Sequence, residues 1–319
     1  MPYVALAQGA REARDRAAAD RWAALVSLRP ELQPAVALQH ELLGLVTDLS
    51  ELIERGRLPR LSLPARYLAA KLQRGVPALA GEPIPLPVPL LKPALLALCA
   101  ALARGGAGEA AERIRAHLDE TRIDAGSLLA ASLKRDQLAI RTVAMHQGLA
   151  PDLVWLVAEL AVSPFVYVLQ RSLFDQESVS PELHGALDKW RHGYCPLCGS
   201  WPALAEVADS RRVLRCSFCA LAWTPDVYAC AYCGEHGEKF VTAAPGEDRM
   251  DRRLEVCGTC GGYLKTIDVP ALTLFPLLAI ADLETMELDM AAMETGYNRP
   301  AVKDFSTRPS TRNPQNTQS

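Results

Sequence analysis

The chain has 319 residues, 34 Lys and Arg against 37 Asp and Glu, a formal net charge of −3, and nine cysteines. That length accommodates two domains, and the near balance of charge excludes a bulk attraction to nucleic acid. Met1 to Ala10 has neither a basic start nor an apolar run of about seven residues, so no secretory leader is expected and the cysteines are expected to be reduced, in the cytoplasm.

The first part of the chain, 1–185, reads as a helical N-terminal domain. A helix is expected over 11–28. Leu38, Leu42, Leu45, Leu49, Leu52 and Ile53 recur at helical spacing and make one apolar stripe that Gly56 stops. Further helices are expected over 65–74, 92–104, 109–119, 127–147 and 151–174. Between them, Leu86-Pro87-Val88-Pro89 lies in a proline-rich stretch from Pro83 to Pro93. It reads as a rigid extended connector rather than a ligand for an aromatic groove. The most apolar stretch, Leu153 to Leu169, holds Glu159 and Pro164 and is short for a membrane span. A buried core helix is expected there, with no membrane insertion. Ser180-Pro181-Glu182 supplies a cap and first turn for a short helix reaching Trp190. Cys99, inside Leu95-Leu96-Ala97-Leu98-Cys99-Ala100, reads as a small core residue. His40, His117 and His146 lie on expected helices without metal-site spacing.

The other eight cysteines form four Cys-x-x-Cys pairs: Cys195/Cys198, Cys216/Cys219, Cys230/Cys233 and Cys257/Cys260. Such a pair places two sulfurs on one side of a tight turn, and four thiolates fill a tetrahedral metal site. The intervening segments repeat one plan. Ala203 to Ala208, Asp209-Ser210 and Arg211 to Arg215 read as strand, turn, strand. Lys239 to Ala244, a loop through Pro245-Gly246, and Arg252 to Val256 read the same way. The expectation is two tandem rubredoxin-like or zinc-ribbon modules, over 186–227 and 228–270. Each holds one metal ion, iron or zinc: site 1 on Cys195, Cys198, Cys216 and Cys219, and site 2 on Cys230, Cys233, Cys257 and Cys260. Four knuckles can pair in three ways. Sequential pairing is favoured because each loop it closes is shorter. Disulfides fit a secreted chain, and a thioredoxin-like motif needs one pair rather than four; both fit less well.

His192 and His236 lie beside the knuckles, but eight cysteines already fill two closed sites. Trp190, Trp201 and Trp223 read as packing between ribbon and helix. Arg211, Arg212, Arg252 and Arg253 offer either a partner-binding face or a solvated strand edge, the latter favoured. Within 186–268 there are ten Lys and Arg against eleven Asp and Glu, so the basic stripe of a nucleic-acid-binding ribbon is missing. Pro276 to Glu294 reads as one C-terminal helix, within a segment 271–298 packed back on the ribbons, and 299–319 as a disordered tail. No phosphate loop, nucleophile elbow or His-Glu-x-x-His is present, so no catalytic residues are assigned and an enzyme is not expected.

Four runs carry a family resemblance. They are Cys195-Pro196-Leu197-Cys198-Gly199-Ser200-Trp201-Pro202, then Leu214-Arg215-Cys216-Ser217-Phe218-Cys219 with Trp223, then Cys230-Ala231-Tyr232-Cys233, and Glu255-Val256-Cys257-Gly258-Thr259-Cys260-Gly261-Gly262-Tyr263-Leu264-Lys265. With Gly296-Tyr297-Asn298-Arg299, they resemble the bacterial formate dehydrogenase accessory protein family, FdhE. The resemblance is strong from about residue 187 to 299, and all eight cysteines have a matching position. It implies a cytoplasmic factor that binds the catalytic subunit of a respiratory formate dehydrogenase before export. It also implies rubredoxin-like Cys₄ sites associated with iron. The polar tail after Pro300 departs from the family. The rival classes are a nucleic-acid-binding zinc ribbon and a rubredoxin-like electron carrier.

Overall fold

A computed structural model describes residues 3–4, 11–56, 63–174, 180–225, 227–244 and 250–300. The chain enters as a two-residue strand, β1 (Tyr3–Val4), followed by α1 (Arg11–Leu28). After a 3₁₀ turn comes α2 (Gln33–Arg55), which ends at Gly56 as the stripe implied. The stripe buries Leu42, Leu49 and Ile53, joined by Val46, while Leu52 lies half in solvent. α3 (Ala65–Gln73) leads to α4 (Val88–Leu102), which starts earlier than expected. Its first turn has no use for the N–H that Pro89 lacks, so proline at that position favours the helix rather than delaying it. A π-helical turn over Ala103–Ala107 leads into α5 (Gly108–Asp119).

The helix expected over 127–147 is two helices, α6 (Ala125–Leu133) and α7 (Gln137–His146). The break is made locally. Arg135 adopts φ 59°, its N–H bonds to Ser132 O at 3.0 Å, and the Asp136 N–H bonds to Ala131 O at 2.9 Å. That is a helix-ending motif with arginine in the left-handed position usually held by glycine. Asp136 then caps α7 by accepting from the Ala139 N–H at 2.9 Å. α8 (Pro151–Phe174) is long and apolar enough to cross a membrane by length and composition, as is the helical stretch Val88–Asp119. Within the protein, 161–170 of α8 are buried throughout, at the centre of the helical layer, in line with a core helix. α9 (Pro181–Asp188) starts as the capping residues implied, the Ser180 hydroxyl accepting from Leu183 N–H.

The remaining strands are β2 (Pro202–Ala208), β3 (Arg211–Cys216), β4 (Ala222–Trp223), β5 (Phe240–Ala243), β6 (Arg252–Cys257) and β7 (Tyr263–Asp268). The two expected hairpins are β2–β3 and β5–β6; the loop through Pro245-Gly246 lies outside the described residues. The sequence reading missed β7, which joins them. β7 runs antiparallel to β6 and parallel to β2, with Ala205 opposite Thr266 and Val207 opposite Asp268. All the described strands form one sheet, in the order β1-β4-β3-β2-β7-β6-β5. The C-terminal helix is broken into α10 (Leu278–Glu284) and α11 (Met286–Glu294) at Thr285, which leaves helical geometry at φ −115°. α10 packs against Trp22 and Leu25 of α1, and Leu288 and Ala292 of α11 pack against Leu254 and Tyr263.

Charge is buried at the seam between the layers. Arg215 and Glu206 are fully buried and paired. Arg215 Nη2 also donates to Thr273 O at 2.6 Å, and Glu206 accepts the Thr273 N–H at 3.1 Å. Removing one partner strands the other charge in a low-dielectric interior. Glu206→Ala is therefore expected to destabilise the protein by about 3–5 kcal/mol, read as a lower denaturant midpoint with an unchanged slope. Of the four arginines expected at a solvated edge, Arg211 is exposed, while Arg212 and Arg253 link strands and Arg252 links the sheet to α10. Arg212 of β3 donates to Glu255 of β6 at 2.7 Å, spanning the two hairpins. Arg252 donates to Glu284 O at 2.7 Å and Arg253 to Asp268 at 3.0 Å.

Candidate metal centres

Each knuckle is folded by the same backbone plan. The N–H of the first cysteine bonds to the carbonyl five residues on, at 2.9 Å for Cys195 to Ser200, 2.9 Å for Cys216 to Leu221, 2.8 Å for Cys230 to Glu235 and 2.9 Å for Cys257 to Gly262. The residue after the second cysteine turns back with positive φ: Gly199 at 81°, Gly234 at 80° and Gly261 at 68°. Ala220 holds the same place at φ 54°, so the alanine that breaks the glycine pattern accepts a strained conformation instead of changing the turn. The turn aims amides at sulfur: Phe218 N–H and Cys219 N–H both bond to Cys216 Sγ at 3.4 Å.

The eight sulfurs fall into the two sets expected from sequential pairing, Cys195, Cys198, Cys216 and Cys219, and Cys230, Cys233, Cys257 and Cys260, each within 4.8 Å of one another. In the first set Cys195 to Cys219 is 3.7 Å, Cys198 to Cys216 3.5 Å and Cys198 to Cys219 3.8 Å. In the second, Cys230 to Cys260 is 3.7 Å and Cys233 to Cys257 3.6 Å. These distances are far too long for disulfides, whose sulfurs lie about 2.05 Å apart. Bonds of about 2.3 Å to a tetrahedral centre put sulfurs about 3.8 Å apart. Both sets therefore fit an ion of zinc or ferrous size, and two Cys₄ groups could hold two metal ions. An ion held by all four sulfurs of either set would have no coordination position left for substrate. His192 and His236 join neither set; His192 stacks on Tyr194 at 4.8 Å, and His236 Nδ1 lies 3.3 Å from Gly234 O.

The two sets differ in setting. All four sulfurs of the first are buried, and its cysteines belong to the main apolar core shared with α2, α4 and α8. Burial pushes the Cys195 and Cys219 thiols well above their ordinary value. Burial also opposes ionisation of Cys198, but the three neighbouring thiols and the Arg135 charge outweigh it and hold that thiol well down. Four thiolates could share this buried position only with a cation among them. In the second set Cys230 and Cys257 are buried while Cys233 and Cys260 are exposed. Burial raises the Cys230 thiol and pushes Cys260 up to about 11. At Cys257 burial is outweighed, first by the amides of Cys260 and Thr259, and the thiol is lowered. Cys99 stands apart in α4, fully buried, its thiol pushed up to about 12 by that burial, in keeping with a core residue.

The two knuckle systems are set back to back. A methyl group on Gly193 would lie 1.9 Å from Ala231 O, inside the Cys230 knuckle. Trp201 packs edge-on against Tyr232 at 5.3 Å, Trp223 Nε1 donates to His192 O at 3.1 Å, and Trp190 Nε1 donates to Tyr194 O at 2.9 Å. These contacts join the two ribbons to each other and to the segment before the first knuckle, rather than ribbon to helix as expected. Gly193 was missed, because its φ is unexceptional and only the tertiary approach demands glycine. Gly193→Ala is expected to force the backbones apart and to cost about 1–3 kcal/mol or more, measured by urea unfolding. A side chain that shifts without loss of stability would rule out this close approach. Arg135 was missed too; the one available signal was an arginine followed by a helix-capping Asp136.

No protein-family model matches the chain. It is 25% identical over 173 residues to the protein FdhE homolog of Aquifex aeolicus, covering 51% of this chain and 56% of that protein. It is 29% identical over 116 residues to protein FdhE of Escherichia coli, covering 35% of this chain and 37% of that protein. The matched stretches span about half or less of the length of these curated relatives. The crystal structure of the FdhE protein from Pseudomonas aeruginosa superposes with a TM-score of 0.58, covering 94% of this chain and 97% of that one at 23% identity, which shows a shared fold. The chain therefore shares its overall fold with that FdhE protein and is similar in sequence to several FdhE proteins over about half of its length or less.

Proposed function

We propose that the protein is a cytoplasmic accessory factor for a formate dehydrogenase, one that binds the catalytic subunit before export and carries out no reaction of its own. The observation that supports this is the pair of closed Cys₄ sets. Each ion, iron or zinc, is held by Cys195, Cys198, Cys216 and Cys219 or by Cys230, Cys233, Cys257 and Cys260, and each fixes two knuckles of a continuous sheet. A closed site supplies folding energy and leaves no coordination position for substrate. The ions then shape a surface, and the surface holds the client.

The test is co-purification with a formate dehydrogenase catalytic subunit from cells making that enzyme, together with formate dehydrogenase activity in cells lacking the chain. A stable complex and lost activity are expected; the absence of both would sink the reading. The exposure of Cys233 and Cys260 favours a second reading, a rubredoxin-like electron carrier. Fast reversible electron exchange with a natural redox partner, without any client complex, would select it. Retention on nucleic acid that weakens steeply with salt would select the zinc-ribbon alternative.

A further inference from the structure

Site 1 raises a charge problem that site 2 does not. Four thiolates and a divalent ion leave two units of negative charge, and at site 1 every sulfur is buried. Uncompensated charge in a protein interior is strongly unfavourable. Arg135 is placed to meet it, whereas Arg215, buried beside Cys216, is paired with the fully buried Glu206. The Arg135 side chain is 4% exposed, and its guanidinium lies 4.0 Å above the ring of Phe218, inside the Cys216 knuckle, and 4.6 Å from the ring of Trp155 on α8. One nitrogen, Nη2, donates to Glu159 at 2.6 Å. Its Nε and Nη1 are buried without a hydrogen-bond partner among the described residues. A guanidinium held by rings and charge rather than by its full set of hydrogen bonds is unusual.

The backbone adds a second, independent observation. Arg135 occupies the left-handed region at φ 59°, which is unfavourable by about 1–2 kcal/mol for a residue other than glycine. Glycine would end α6 with less strain, so the position holds arginine for its side chain. Glu159 offsets part of the charge, but its side chain is 20% exposed to screening solvent, whereas the Arg135 guanidinium is buried over Phe218, the residue between Ser217 and Cys219.

We propose that Arg135 is the charge-balancing residue of site 1, a positioning residue on the helical layer whose guanidinium offsets the negative charge of a metal-loaded Cys₄ set. The proposal rests on site 1 holding a metal ion. It makes the helical layer part of the metal centre and gives the two sites different electrostatics.

The test uses the full chain reconstituted with iron, with Arg135→Met and Arg135→Lys compared with wild type. Methionine keeps the apolar stem and removes the charge; lysine restores it. The reduced site carries one more negative charge than the oxidised site, so removing a cation disfavours reduction. Arg135→Met is expected to shift the ferric–ferrous ratio of site 1 at least tenfold toward ferric at a given potential, a lowering of about 59 mV. Site 2 should not move, and lysine should recover most of the shift. Lower thermal stability with an unmoved potential would make Arg135 a packing residue only and overturn the inference. Wild-type protein that binds no metal at Cys195, Cys198, Cys216 and Cys219 would instead overturn the metal reading itself, a separate result from metal content alone.

Discussion

Cys216→Ser is expected to abolish the cooperative folding transition of the protein or to lower its Tm by more than about 10 °C. Structural zinc in small peptides contributes about 10–16 kcal/mol, comparable to the whole stability of about 5–15 kcal/mol for a typical domain. At site 1 that energy is not local. Cys216 ends β3, accepts the amides of Phe218 and Cys219, and lies fully buried in the core formed with α2, α4 and α8. Loss of the ion leaves unpaired thiols where burial already pushes Cys195 and Cys219 well up, and opens the seam where Arg215 pairs with Glu206. A loss of several kcal/mol at about 2–4 °C each gives the stated shift. Cys260→Ser should behave differently. It lies exposed in the turn between β6 and β7, strands whose Leu254 and Tyr263 pack with Leu288 and Ala292 in a small cluster separate from the main core. One metal ion should be lost while the helical layer keeps its transition. Differential scanning calorimetry with metal analysis decides the matter, and equal effects of the two substitutions would contradict a core-embedded site 1.

The second large effect is kinetic. Under excess chelator, site 2 is expected to lose its ion at least about a hundredfold faster than site 1. Removal needs access to sulfur. Cys233 and Cys260 offer it without unfolding, whereas all four sulfurs of site 1 require an opening of the core. A difference of about 3 kcal/mol between local and near-global opening is enough for a hundredfold ratio. Alkylation followed by mass mapping should label Cys233 and Cys260 first and Cys195, Cys198, Cys216 and Cys219 last. A single phase of metal release, or labelling of Cys195 alongside Cys260, would refute the asymmetry.

The sequence by itself determined much of this protein. Cys-x-x-Cys spacing limits two sulfurs to one turn, so four pairs predicted two sets of four, and the shorter loops picked out the grouping that the sheet then realises. The apolar stripe of α2, the stop at Gly56 and the Ser180 cap were equally legible, because each depends on neighbours within a few residues. What the tertiary structure decided depends on distant ones. β7 pairs in parallel with β2 across more than fifty residues of chain, so nothing in Tyr263–Asp268 alone announces that it fuses two hairpins into one sheet. The break at Arg135 overrides an apolar pattern that continues through it, and its guanidinium acquires meaning only where Phe218 and Trp155 close around it. Gly193 is demanded by one backbone passing another. The asymmetry between the sites has the same origin. Two motifs of the same spacing differ because one is folded into the helical core and the other is left at the edge, and burial is a property of the packed chain rather than of the motif.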